Sequence, residues 1–368
     1  MRESFWALGL MSGTSLDGID AALIRTDGNH IHATGEALTI PYSDALRHQI
    51  REVIYQRGDV AATEQELTLA HSDAVKTLLA KAKMTPKDIK VIGFHGQTIS
   101  HRPNEHITWQ LGNGQLLAEK TRIDVVYDFR RRDMAAGGHG APLVPLFHAA
   151  LVSHMELPVA ILNIGGIANV TWVGRSEATD DDIMALDIIA FDVGPGNVLL
   201  NEWVWQQIGK THDENGLIAA AGQAKPELIQ HYLADAFFHH IPPKSLDRNY
   251  FSLERIHTLS LEDGAATLVH FTAEAIKKAE MHFPVKPKHW YVAGGGRHNH
   301  TLMQELAKRL PLLKSVETLG WNGDALEAQA FAYLAVRSLK KLPLTLPTTT
   351  GVSRPVTGGV YCAAATVS

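Results

Sequence analysis

Gly9-Leu10-Met11-Ser12-Gly13-Thr14-Ser15-Leu16-Asp17-Gly18-Ile19-Asp20 lies between two apolar runs, Phe5 to Met11 and Ala21 to Ile24. That pattern calls for a strand, a tight polar turn and a second strand. Gly13 and Gly18 permit positive φ and close approach of a ligand, and Ser12, Thr14 and Ser15 add hydroxyls to a turn whose amides can face an anion. The stretch is not a Walker loop, because no Gly-Lys-Ser/Thr follows and the next element reads as strand. An ordinary hairpin uses the same Gly, Ser and Asp residues, so the rest of the chain must discriminate.

A chain of 368 residues exceeds the size at which single cores usually split, so two lobes are expected. The formal net charge of −5, with basic residues scattered apart from Arg130-Arg131-Arg132, argues against a nucleic-acid partner. The single cysteine, Cys362, excludes an internal disulfide and fits a reducing compartment. No run of about eighteen apolar residues or leader pattern occurs, which points away from membranes and to a cytoplasmic location.

Ile31 to Pro41 reads as strand, and Ser43 to Ala82 as helix broken near Arg57-Gly58-Asp59. Val91 to Phe94 is a short strand, with His95-Gly96-Gln97-Thr98 just past its end, where ligand contact and a plain loop exit are both open. Trp109 to Gly114 reads as a turn, Gln115 to Thr121 as helix, and Ile123 to Tyr127 as strand. Gly and Pro punctuate Asp128 to Leu146 as at a lobe boundary, which divides the chain into an N-terminal lobe, 1–135, and a C-terminal lobe, 136–342. The Thr-, Pro- and Gly-rich tail, 343–368, is either a loose terminus or folds back on a lobe.

A second strand–Gly turn–strand unit follows: Val159 to Leu162, Asn163-Ile164-Gly165-Gly166-Ile167-Ala168-Asn169, then Val170 to Val173. Ile188 to Phe191 leads into Asp192-Val193-Gly194-Pro195-Gly196-Asn197, which places a carboxylate either to act on a ligand or to cap the next helix. His239-His240 lacks metal-ligand spacing. Leu261 to Ala279 is an amphipathic helix, and Trp290 to Ala293 a strand ending in Gly294-Gly295-Gly296-Arg297-His298-Asn299, where glycines permit a ligand's close approach. Asp324 and Glu327 have near-capping-box spacing at the start of a helix running to about Leu342, so Glu327 is either a cap or a site residue.

The order of these motifs resembles the actin, Hsp70 and sugar-kinase superfamily. Gly9 to Asp20, Gly93 to Thr98, Asp128 to Gly138, Asn163 to Asn169, Phe191 to Asn197 and Ala293 to Gly296 are together similar to the anhydro-N-acetylmuramic acid kinase family of bacteria. Val193 stands where the family pattern is expected to have Thr. The resemblance implies an α/β, two-lobed actin-like ATPase fold of ribonuclease H-like lobes, with the active site in the interlobe cleft and a hinge near residues 128–142. It further implies ATP- and Mg²⁺-dependent hydrolytic opening of 1,6-anhydro-N-acetylmuramic acid, with phosphorylation of O6, in peptidoglycan recycling, and a homodimer.

On the same resemblance Asp192 is the base that takes a proton from water, with the ordinary carboxylate value near 4, and Glu327 is a second catalytic residue. ATP would be held by Ser12, Gly13, Thr14, Ser15, Asp17 and Gly18, by Gly165, Gly166 and Asn169, and by Gly294, Gly295, Gly296 and Asn299, with Mg²⁺ at Asp17. Sugar contacts would come from His95, Gln97, Arg130, Asp133, Gly138, Gly140, Gly194 and Asn197, with Arg130 and Asp133 facing the sugar or its lactyl carboxylate. An ordinary hexose kinase of the same fold, and a nucleotide-driven chaperone-like module, are the alternatives.

Overall fold

The computed structural model describes residues 3–13, 15–175, 183–310 and 312–364. Its strands, in chain order, are β1 (Phe5–Ser12), β2 (Gly18–Thr26), β3 (Ile31–Pro41), β4 (Val91–Arg102), β5 (Ile107–Leu111), β6 (Val125–Tyr127), β7 (Val159–Ile164), β8 (Ile167–Arg175), β9 (Leu186–Pro195), β10 (His289–Ala293), β11 (Leu313–Ser315) and β12 (Val360–Cys362). The chain divides into two compact units, Met1–Leu151 with Ala325–Ser368, and Val152–Asp324.

In the first unit the sheet order is β12-β6-β4-β1-β2-β3, with β5 paired to β4. β1, β2 and β3 are antiparallel, whereas β4 runs parallel to β1 and β6 parallel to β4. In the second unit the order is β11-β10-β7-β8-β9, with β7, β8 and β9 antiparallel and β10 and β11 parallel. The three-strand meander followed by parallel strands on the side of its first strand therefore occurs twice. This repeated α/β plan is the ribonuclease H-like one expected from the sequence. The two Gly turns, near 13 and at 165–166, are the first hairpins of the two repeats.

Local chemistry explains the elements that position the site. Ser43 and Asp59 each accept an amide hydrogen bond, from Leu46 and Ala62, at the starts of the helices Asp44–Ile54 and Val60–Ala82, caps of about 1 kcal/mol each. Between the two helices Gln56 takes a φ of 59° and Gly58 avoids a Cβ only 2.8 Å from the Val53 amide nitrogen. On the first sheet lies the helix Leu326–Leu339, so close that a Cβ on Gly9 would fall 1.7 Å from the Ala328 carbonyl oxygen and one on Gly93 would fall 2.0 Å from that of Phe331. These two glycines are set by helix packing rather than by a ligand.

Several expectations are corrected. His95 to Thr98 lie inside β4, because that strand continues past Phe94 to pair with β5, and Trp109 to Leu111 are strand rather than turn. The break at 135/136 is not a boundary between units. The short helix Arg131–Ala135 and the glycines after it are tied into the first unit through Asp133 and through the His139 amide on the Thr350 carbonyl, and the chain crosses at 151/152 and 324/325 instead. The helix Leu326–Leu339 accordingly belongs to the first unit. The tail packs back on that unit: β12 pairs antiparallel with β6, and Tyr361 Oη donates to Asp124 Oδ2 over 2.7 Å. No helix among the described residues is long and apolar enough to cross a membrane.

Candidate active site

In the second unit the hydrogen-bond register sets Ala293 opposite Asn163, Asn163 opposite Asn169, and Asn169 opposite Asp192. Paired residues on neighbouring strands present their side chains to one face, so Asn163, Asn169 and Asp192 form a polar row across β7, β8 and β9. At one end of this row the two-residue turn Gly165-Gly166 joins β7 to β8. Its carbonyl oxygens are used internally: Gly165 O accepts the Asn197 amide over 2.9 Å and Gly166 O accepts the Gly196 amide over 2.8 Å. Asn197 Nδ2 also reaches Gly165 O, at 3.1 Å. Asn197 therefore holds the turn in place.

Space at the glycines separates their roles. A Cβ at Gly13 would have no neighbour nearer than 3.7 Å, at Gly165 none nearer than 3.5 Å, at Gly166 none nearer than 4.0 Å, and at Gly295 none within 4 Å. At Gly18 the same atom would meet the Ile40 carbonyl oxygen at 2.3 Å, at Gly294 it would meet Asn163 Oδ1 at 2.3 Å, and at Gly296 it would meet Ile164 Cγ2 at 2.3 Å. Open glycines leave backbone bare to a ligand, whereas crowded ones let chain segments touch. Gly13 in the first unit and Gly165, Gly166 and Gly295 in the second are the positions of the open kind. Asn299 has a structural task, since its Oδ1 caps the helix His300–Arg309 by accepting the Leu302 amide. Arg297, 5% exposed at its side chain, stiffens the turn through Gly294 O, Glu317 and Asp324.

Asp192 sits within β9, an edge strand whose open side is covered by residues 244–246. The Asp192 amide donates to the Lys244 carbonyl over 3.0 Å, and the Leu246 amide donates to Asp192 Oδ2 over 2.8 Å. Burial pushes the carboxyl up to about 7, against the opposing pull of the Leu246 amide and the Lys244 ammonium. The value near 4 expected from the sequence is thereby corrected: loss of hydration outweighs one hydrogen bond and one neighbouring charge. At Gly194, at φ 154°, a Cβ would stand 3.0 Å from that of Ala275.

The first unit carries the other predicted residues. Ser12 is buried and its Oγ donates to Gly96 O at 3.3 Å, with His71 Nε2 at 3.4 Å. Gln97 Nε2 donates to Gly13 O over 3.1 Å, and its buried Oε1 has no hydrogen-bond partner among the described residues. Thr14 lies outside the described residues. Gly13 and Gly18 do not take positive φ; Leu16 does, at 60°, and its amide closes the turn on Gly13 O. Ser15 and Asp17 are exposed at the turn's rim. Among the described residues no three His, Cys, Asp or Glu side chains group to hold a metal ion. The lone Asp17 carboxylate fits Mg²⁺ only as one ligand among phosphate oxygens and water.

The predicted sugar contacts of this unit prove to be occupied by one another. Arg130 is fully engaged: Nε and Nη2 point at His95 Nε2, at 3.1 and 2.9 Å, and Nη1 donates to Gly140 O over 2.7 Å. Burial lowers its value to about 10, with the charges of Glu327 and Asp133 pulling the other way. His95 lies on the Gly96 carbonyl through Nδ1, at 2.8 Å, and burial beside Arg130 holds it well below the usual imidazole range, hence neutral. Asp133, 2% exposed, accepts from Thr345, Thr350 and the Gly140 amide. Gly138 has no room for a Cβ, which would meet Asp133 Oδ2 at 2.3 Å. Arg130, partly exposed, and the buried His95, Asp133, Gly138 and Gly140 therefore brace one another. Glu327 is not a helix cap: the helix starts after Ala325 with no side-chain cap, and Asp324 is drawn off to Arg297 at 2.9 Å. Glu327 instead places its charge near Arg130.

Lys244 was not singled out in the sequence, because it lies in a Pro-interrupted stretch without period or motif. Asn163 was legible as the strand-end polar residue of a quoted motif.

Open glycine turns at the first hairpins of both repeats, together with a partly buried strand acid, stand on the repeated α/β plan expected from the sequence. The family model described as anhydro-N-acetylmuramic acid kinase matches residues 5–364. Among relatives of that name, one from Rhodospirillum rubrum is 46% identical, covering 100% of this chain and 97% of its own, and one from Gluconobacter oxydans is 49% identical, covering 96% and 99%. The chain belongs to the anhydro-N-acetylmuramic acid kinase family. A solved xylulose kinase from Lactobacillus acidophilus aligns with a TM-score of 0.45 at 10% identity, covering 90% of this chain and 89% of that one.

Proposed function

We propose that this protein is an ATP-dependent kinase that opens 1,6-anhydro-N-acetylmuramic acid with water and phosphorylates O6, giving N-acetylmuramic acid 6-phosphate and ADP in cell-wall recycling. The match to the family model over residues 5–364 carries this reading. The chemistry of the second unit supports it. Asp192, with a value of about 7, is half ionised at neutral pH and suited to accept a proton from a water at C1. As the C1–O6 bond breaks, its electron pair goes to O6, which takes the γ-phosphoryl group while ADP leaves. The proton held on Asp192 then returns to solvent. A hydrolase needs a second carboxyl group to protonate the departing oxygen; here phosphoryl capture of O6 replaces that acid.

Asn169, opposite Asp192, orients the water or sugar, and the open glycines 165, 166 and 295 receive the nucleotide. Gly13 and Ser15 form the phosphate-type turn of the first unit. Asp17, together with phosphate oxygens and water, would hold Mg²⁺, which when bound would neutralise charge on the phosphates. Arg130 and His95 keep the Gly96–Gln97 segment in place, and Gln97 Oε1 is the acceptor left for a ligand.

ATP turnover measured with and without the anhydro sugar tests the reading. Turnover strongly dependent on the anhydro sugar, and lost in Asp192→Asn, is expected. Sugar-independent hydrolysis indicates a chaperone-like module, and phosphorylation of an ordinary hexose alone indicates a hexose kinase.

A further inference from the structure

Lys244 is 8% exposed, a degree of burial that a lysine tolerates only with partners. Its Nζ donates to the Phe237 carbonyl over 2.9 Å and stands 3.3 Å from His282 Nε2. The ammonium lies 4.6 Å from the Phe237 ring centre and 5.6 Å from that of Phe191, the residue preceding Asp192. Its own carbonyl accepts the Asp192 amide, and two residues on, Leu246 donates to the Asp192 carboxylate. One short segment therefore grips the acid by backbone at its amide and its carboxylate and carries a buried cation whose charge acts on it.

Resting on the proposed role of Asp192, we infer that Lys244 is a positioning residue for that base: its backbone fixes the edge of β9 while its ammonium, held on Phe237 and over the Phe191 ring, supplies a positive charge behind the acid's strand. The other titratable groups facing the pair are Lys278 at the end of the helix Leu261–Lys278, His282 in the turn after it, and His239 across from His282. Lys278 and a protonated His282 repel the Lys244 ammonium, and Asp192 is the anion that favours it. Burial, with Lys278 nearby, lowers Lys244 to about 8, while Asp192 pulls the other way. Between the Asp192 value of about 7 and this one the charged form of both is present.

Lys244→Gln tests this, since an amide still donates to the Phe237 carbonyl without the charge. Removing the cation raises the carboxyl. The acid limb of kcat/KM then moves up from about 7, so the variant loses activity at pH 7, about fivefold for each one-unit move, and recovers at alkaline pH. Lys244→Arg keeps the limb in place. A ¹³C titration of the Asp192 carboxyl, assigned by its absence in Asp192→Asn, gives the same shift without substrate. An equal loss at every pH, or a carboxyl that titrates unchanged in both Lys244→Gln and Lys244→Met, overturns the inference. Near-normal turnover of Asp192→Asn would instead remove the base itself, a separate outcome.

Discussion

Asp192→Asn should make the protein more stable at alkaline pH while abolishing turnover. Folding favours the neutral carboxyl, because its folded value, about 7, lies above the ordinary 3.8. The stability this confers is complete below about pH 3.8 and is lost as pH rises through about 7. At about 1.4 kcal/mol per pH unit, the difference amounts to a ceiling of about 4 kcal/mol at pH 8. Asparagine removes the charge yet keeps an oxygen to accept the Leu246 amide, so the variant avoids the cost. Scanning calorimetry of wild type and variant at pH 5 and pH 8 reads this directly: the gap in melting temperature in favour of the variant should widen towards pH 8. A gap that is constant with pH, or that closes, would show that Asp192 is not held against ionisation by burial.

Other perturbations sort the glycines and the scaffold. Ala at Gly9 or Gly93 drives a methyl into the backbone of the helix Leu326–Leu339 and should destabilise the fold by about 3 kcal/mol or more in denaturant titration. Ala at Gly165 or Gly295, where space is open, should leave the melting temperature nearly unchanged while raising KM for ATP. Asp133→Ala removes the acceptor shared by Thr345, Thr350 and Gly140, and should cost about 3–5 kcal/mol by leaving buried donors unpaired, with Arg130 losing a nearby anion. Wild-type kcat/KM should rise with pH to a plateau above about 7, since Asp192 must be ionised to act; His71, pushed by burial to about 4, contributes no step between pH 5 and 8.

The strands and most helices were legible because their periods are set by burial alone: β1, β2, β3, β7 and the helices Val60–Ala82 and Leu261–Lys278 follow their apolar patterns closely. Misreadings fell where tertiary contacts override local pattern. Gly-rich residues 137–140 look like a linker but wrap the buried Asp133 carboxylate, a partner remote from sequence view. Asp324 and Glu327 have cap spacing, yet Arg297 captures the former and Arg130 faces the latter. The acid itself was found as a strand-end residue, but its altered proton affinity was not, because burial and Lys244, 52 residues on, set it. Glycine motifs were visible as motifs; which glycines are bare and which are crowded depends on neighbours that only the folded chain supplies.

The central claim, that ring opening by water and phosphoryl transfer to O6 are one coupled event, is tested most directly by running the reaction in ¹⁸O-labelled water and analysing the 6-phosphate product. One solvent oxygen at C1 for each ADP formed, with no labelled sugar released when ATP is withheld, is the predicted result. Product lacking solvent oxygen at C1, or ring opening that proceeds without ATP, would contradict it.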